Sequence, residues 1–167
     1  MWIRNILFWF SNWSDKTSLG DGIRNSVWLF PVIEIFHLLA LAVLGGVVLL
    51  VNLRLLGAPL FQEEPLPELA QEVGPLFLWS LAAMIVSGFL LFTSEALKDF
   101  FNWGFRVKMT SLLLALIFTF TIHRKVILAK EGSISPLWLK AAAIASLVLW
   151  LAVGLGGRSI GYLTSTS

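Results

Sequence analysis

Four long apolar runs constrain the fold of this chain more than any other feature. Between Arg24 and Arg54 the only charged residue is Glu34, and three further stretches contain no charged residue at all: 73–94, 109–123 and 141–157. A helix needs about 20 residues to cross the ~30 Å of hydrocarbon in a bilayer, and Lys or Arg at the ends of the shorter stretches can reach the interface through their long stems. The pattern predicts four membrane-spanning helices, at about 28–55, 75–97, 104–127 and 136–158.

Composition places the chain among integral membrane proteins. Of its 167 residues 57% are hydrophobic and 13% are charged, whereas soluble domains carry about 25% charged residues. The mean hydropathy is +0.85. The length suits a single membrane domain, 1–167, and the short connections favour an all-α, four-helix up-down bundle. The basic residues are spread along the chain, which argues against nucleic acid as a partner and leaves the lipid bilayer.

The first 14 residues are expected to form a separate unit. Trp2, Ile6, Trp9 and Trp13 recur at spacings of four, three and four residues, which puts them on one face of a helix. The segment is too short to span a bilayer. It predicts an N-terminal amphipathic helix, 1–14, that lies in the membrane interface, and a helix packed on the bundle is the alternative.

The distribution of Lys and Arg predicts the orientation. We call side A the end of the bundle at which the first predicted span begins, and side B the opposite end. Seven Lys or Arg residues lie near side A and five near side B. Because cytoplasmic loops are enriched in these residues, side A is predicted to be cytoplasmic and to hold both termini, as expected for a protein of the bacterial inner membrane.

A polar cluster is predicted inside the bundle at side A. In an up-down bundle, this end collects the start of the first and third spans and the end of the second and fourth. Those places hold Glu34, His37, Glu95, Lys108 and Arg158. Glu34 and His37 are three residues apart and can share a helix face, and a charge at this depth is costly unless it is paired. The sequence therefore predicts a pocket walled by Glu34 and His37 and faced by Lys108 and Arg158. An ion pair that only fixes helix packing is the alternative.

His37 has three candidate roles. It could be a structural residue that hydrogen-bonds to a hydroxyl such as that of Ser87 or Ser146. It could be a metal ligand, as the axial ligand of a haem b. It could also carry protons together with Glu34. The residues alone leave all three roles open.

A haem b at His37 would draw on further residues of the bundle. Lys108 and Arg158 are candidates to hold its propionates, and Met84 is a candidate second ligand because its depth approaches that of His37. His123 is the other His of the chain and lies near the side-B end of the third span. It is too far from His37 to bind the same iron and is predicted to be interfacial.

Several segments together resemble a known family: WLFPVIEIFHLLALAVLGGVVLLVNLRLLG, SGFLLF, FRVKM and GRSIGY. They are similar, across nearly the whole chain, to an uncharacterised family of small bacterial four-helix integral membrane proteins, and this resemblance implies no activity. The positions that resemble the marked positions of that family are Glu34, His37, Gly88, Lys108, Gly157 and Arg158. The chain also has a looser resemblance to copper-resistance-type and b-type cytochrome membrane subunits, but its single deep His departs from the paired His ligands of those cytochromes.

Together these features favour a haem-b-binding or quinone-contacting electron-transfer subunit, which implies a membrane or redox partner subunit. Proton or small-solute transport through Glu34 and His37 is an alternative, as is a structural accessory role in a membrane complex. The sequence contains no Gly-rich phosphate loop, nucleophile motif or metal-ligand cluster, so it assigns no enzymatic reaction.

Overall fold

The computed structural model of the chain describes residues 9, 11–14, 17–58, 65–129 and 134–163. We number its helices in chain order: α1 Ser18–Asn25, α2 Leu29–Leu56, α3 Leu66–Phe101, α4 Trp103–Ile127 and α5 Pro136–Leu163. The described residues contain no β-strand. Each of α2, α3, α4 and α5 is long and apolar enough to cross a membrane. The prediction of an all-α integral membrane protein with four spans is therefore confirmed.

Two helix pairs form the bundle. α2 packs extensively on α3, and α4 packs extensively on α5, while α2 and α5 join the two pairs. α3 and α4 touch each other at few points. Side chains of the interior form two apolar clusters, one around Leu44 and Met84 and one around Val51 and Ile127. The pairing leaves a gap between α3 and α4.

α3 differs from the predicted second span. The sequence predicts a start near 75, at the beginning of the uncharged run 73–94. The helix instead begins at Leu66 and runs through Pro75. Pro75 has no backbone N–H, so the carbonyl group of Gln71 lacks its usual helical partner. Near side A the same helix is kinked at Glu95, where φ is −134° and ψ is 32°.

α1 lies against the kinked end of α3. Gly20 packs so closely on the backbone carbonyl of Thr93 that a Cβ atom would overlap it. Nε of Arg24 donates a hydrogen bond of 2.7 Å to the carbonyl oxygen of Ser94, next to the kink at Glu95. This contact gives the carbonyl oxygen of Ser94 a hydrogen-bond donor at the point where the helix is irregular.

The predicted interfacial helix falls mostly outside the described residues, which include only 9 and 11–14 of its 14 positions. Within that part Trp9 and Trp13 are exposed, whereas Ser11 and Ser14 are buried. The described part of this segment therefore has buried serines and exposed tryptophans. The position of the segment in a membrane interface stays a prediction.

α4 is interrupted by a π-helical turn from Thr119 to His123. Ala115 and His123 are eight residues apart, which in an uninterrupted α-helix places them about 80° apart around the axis. A π turn contains one extra residue, and this residue rotates His123 back towards the face of Ala115. Both side chains are accordingly buried.

Candidate functional site

His37 is held in one orientation inside the side-A half of the bundle. It is 8% exposed, and its Nδ1 lies 2.9 Å from Oγ of Ser87 on α3. The Ser87 hydroxyl already donates to the carbonyl oxygen of Ala83 at 2.6 Å, so its oxygen must accept from Nδ1–H of His37. In the neutral ring Nε2 then carries the lone pair.

Glycines set the surroundings of His37 and Lys108. A Cβ atom on Gly88 would lie 3.1 Å from Cε1 of His37, and one on Gly156 would lie 2.9 Å from the backbone nitrogen of Lys108. The absence of these Cβ atoms lets the imidazole pack against α3 and lets α4 approach α5 closely. Lys108 is partly buried. Gly157 lies beside the Lys108 side chain, where a Cβ atom would be 3.7 Å from Cδ.

Glu34 does not share the inner wall with His37. The carboxylate side chain is exposed, and it forms no ion pair with any described residue. The prediction that both residues face the same interior is corrected here. Three residues advance a helix by about 300°, which leaves a 60° offset, and this offset takes Glu34 past the edge of the buried face.

The remaining side-A candidates are dispersed. Arg158 is exposed. Glu95 is bound to Lys98 on its own helix, with both carboxylate oxygens 3.0 Å from Nζ. Met84 is 3% exposed and packs with Ala40 in an apolar cluster. None of these three side chains joins His37 in a hydrogen-bonded network among the described residues.

A second polar cluster lies at the side-B end, and the sequence did not reveal it. Asn52 of α2 is fully buried, and His123 and Ser146 are 6% and 1% exposed. Nδ2 of Asn52 donates to the carbonyl oxygen of Val48 at 2.7 Å and to Oγ of Ser146 at 3.1 Å. Oδ1 of Asn52 lies 3.0 Å from Nε2 of His123. Three helices are therefore joined by one side-chain amide.

His123 is consequently a buried residue, and its position at the membrane interface stays a prediction. The π turn explains this burial, because its extra residue rotates His123 towards the interior of the bundle. The missed signal was Asn52 itself. A carboxamide inside an apolar run needs partners on other helices, and His123 is one of the few polar residues that an up-down bundle places at the same end.

A cleft opens beside this cluster, between α3 and α4. It has a volume of about 310 Å³, and we call it the α3–α4 cleft. Its apolar walls come from all four spanning helices, and its polar lining includes Thr119, His123 and Ser146. The full lining is Val47, Val48, Val51, Ala70, Gln71, Val73, Gly74, Phe77, Leu78, Thr119, Phe120, His123, Arg124, Ile127, Leu128, Ser146 and Trp150.

Aromatic side chains form one end of the cleft. The ring of Phe77 lies edge-on to Phe120 and to Trp150, with centroids 6.3 and 6.1 Å apart. The indole Nε1–H of Trp150 donates to Oγ1 of Thr119 at 3.4 Å. Because T-shaped contacts of this kind fix ring positions, this wall is preformed.

Comparison with known proteins assigns the chain to a family for which no activity is described. The model of a family of unknown function, DUF6644, matches residues 6–163. No curated protein and no solved structure gives a significant match. Since the match covers nearly the whole chain, the resemblance to an uncharacterised membrane family is confirmed, and the chain belongs to the DUF6644 family.

Proposed function

We propose that this protein is a quinone-contacting subunit of a membrane electron-transfer system, and that the quinone ring occupies the α3–α4 cleft. The observation that carries the proposal is an apolar cleft between two spanning helices that is lined by the imidazole of His123. We assign the ligand to this cleft and not to the predicted pocket at side A.

The shape and chemistry of the cleft suit a ring-bearing lipid. Small-molecule sites are mainly apolar and aromatic, with a few fixed polar groups that orient the ligand, and their volumes begin near 300 Å³. Phe77, Phe120 and Trp150 offer faces and edges to a flat ring, and His123 offers a polar anchor held by Asn52. A ligand dissolved in the bilayer can enter sideways, because α3 and α4 make little contact.

Haem b suits the described residues less well. A b-type site with two axial ligands needs a donor on each face of one iron. His37 provides one imidazole lone pair. His123 binds Asn52, fifteen residues further along α2 than His37 and therefore roughly 22 Å away along the helix axis. Met84 packs in an apolar cluster. We therefore do not propose haem at His37.

The transport alternative depends on a path that includes both Glu34 and His37. Glu34 is exposed and His37 is buried, so the two side chains face different surroundings. No described hydrogen bond or ion pair joins their side chains.

Ligand titration in lipid nanodiscs tests the proposal. Decylubiquinone, in its oxidised and reduced forms, is added to the full chain, and binding is measured by calorimetry. Gly74 lines the cleft, and a Cβ atom there would meet nothing within 4 Å. Gly74→Leu therefore has room for its Cβ atom, adds side-chain volume at the wall of the cleft and should reduce binding about tenfold or more.

Gly45→Leu is the matched control, because Gly45 is exposed and its surroundings are equally open. This variant should bind as the wild type does. Two results would overturn the proposal: no binding of either form to the folded wild type, or equal binding to the Gly74 and Gly45 variants. The first result would favour a structural accessory role.

A further inference from the structure

We infer that the α3–α4 cleft selects the reduced, hydroxyl-bearing form of its ligand over the dicarbonyl form. The inference rests on the proposed function and adds a substrate form to it. It follows from the hydrogen bonds that surround Asn52, which determine which nitrogen of His123 carries a proton.

The orientation of the Asn52 amide is determined by a carbonyl group. The backbone oxygen of Val48 can only accept a hydrogen bond, so the Asn52 atom 2.7 Å from it must be the nitrogen. The second N–H of this nitrogen points to Oγ of Ser146. Oδ1 is therefore the atom that faces His123.

The amide oxygen in turn fixes the tautomer of His123. Oδ1 of Asn52 has no hydrogen, so the 3.0 Å contact requires that Nε2 of His123 donates. In a neutral imidazole the other nitrogen, Nδ1, then has a lone pair and accepts hydrogen bonds. Nδ1 has no hydrogen-bond partner among the described residues, and it is not fully buried. We infer that Nδ1 faces the cleft, because His123 is one of its lining residues.

Two other polar groups of the lining, Thr119 and Ser146, are hydroxyls that accept hydrogen bonds from neighbouring side chains. The indole N–H of Trp150 is directed at Thr119. Arg124 also lines the cleft, but its side chain is exposed, so it contributes to the rim. Nδ1 of His123 is thus an acceptor, and it is complementary to a phenolic O–H. A quinone carbonyl, which only accepts, would leave that lone pair buried and unpaired, at a cost in affinity.

The test compares two dissociation constants on the same protein. Decylubiquinol, under anaerobic conditions, should bind the wild type about tenfold or more tightly than decylubiquinone, as expected for one unpaired buried acceptor. His123→Gln should bring the ratio close to one, because glutamine offers both a donor and an acceptor. Thr121→Gln is the control on the same π turn. Thr121 is exposed and does not line the cleft, so this variant should keep the ratio.

Equal affinities for the two forms in the wild type would overturn the inference while leaving the proposed function intact, as would an unchanged ratio in His123→Gln. Failure of both forms to bind would overturn the proposed function itself. An Asn52→Leu variant gives a second check, because loss of the amide frees the tautomer and should lower the preference. Nitrogen-15 spectra of His123 in that variant show whether the tautomer changed, so a preference kept despite the change would also overturn the inference.

Discussion

Nε2 of His123 lies 3.0 Å from Oδ1 of Asn52, although the two residues are 71 positions apart in the chain and sit on different helices. The same arrangement recurs at the other end of the bundle, where Nδ1 of His37 contacts Ser87 of a neighbouring helix at 2.9 Å. In both cases one N–H is engaged across a helix interface and the other nitrogen retains a lone pair. Only the ring of His123 lines the cleft described above.

Replacement of Asn52 should destabilise the bundle. Asn52→Leu removes three hydrogen bonds and leaves Nε2–H of His123 without its acceptor, whereas the carbonyl of Val48 keeps its backbone partner in the helix. The expected loss is about 2 kcal/mol in free energy of unfolding. Unfolding of the protein in mixed micelles by a denaturing detergent measures it. Thr121→Leu, at an exposed position, is the control, and an equal effect of the two changes would contradict a structural role for the amide.

Gly88 should not tolerate a methyl group, because His37 lies against it. A Cβ atom there would be 3.1 Å from Cε1 of the ring, so Gly88→Ala should push the imidazole away from Ser87. At Gly46 a Cβ atom meets nothing within 4 Å, and Ala is the better helix former. We expect Gly88→Ala to unfold more easily than Gly46→Ala by about 1–3 kcal/mol. Equal stabilities, with an unchanged His37 nitrogen spectrum, would show that the ring is not constrained.

Gly156 should be needed for the close approach of α4 and α5. A Cβ atom at this position would lie 2.9 Å from the backbone nitrogen and 3.0 Å from Cα of Lys108. Because backbone atoms cannot rotate away, Gly156→Ala should force the helices apart and cost about 1–3 kcal/mol. Gly154→Ala introduces the same methyl group into open space on the same helix. A melting temperature of Gly156→Ala that matches that of the control would argue against the close packing.

Much of the fold could be predicted because it depends on hydrophobic length alone. The four spans follow from runs of apolar residues. The burial of His37 follows because a polar side chain within such a run is expected to face the interior of the bundle and not the lipid. The outward position of Glu34 could not be derived, because it depends on the 60° angle between Glu34 and His37 around the helix axis. The burial of His123 depends on the π turn, and no residue pattern that we recognise in residues 119–123 marks that turn. The role of Asn52 could have been suspected from its polarity, although its partners required the three-dimensional packing.

The orientation in the membrane stays a prediction from the Lys and Arg distribution. Reporter fusions at residue 1 and after residue 167 of the full chain should both report the cytoplasm. A periplasmic signal at both ends would reverse the orientation, and opposite signals at the two ends would contradict an even number of spans.

Nitrogen-15 spectroscopy of the histidines tests the central claim most directly. The chain has two His residues, so a sample labelled only at histidine and placed in nanodiscs gives four ring signals, which a His37→Gln variant assigns. We predict that His123 carries its proton on Nε2, that Nδ1 is unprotonated, and that decylubiquinol shifts the Nδ1 signal of His123 while leaving the signals of His37 in place. A proton on Nδ1 of His123, or a His123 signal that does not respond to saturating quinol, would contradict the claim.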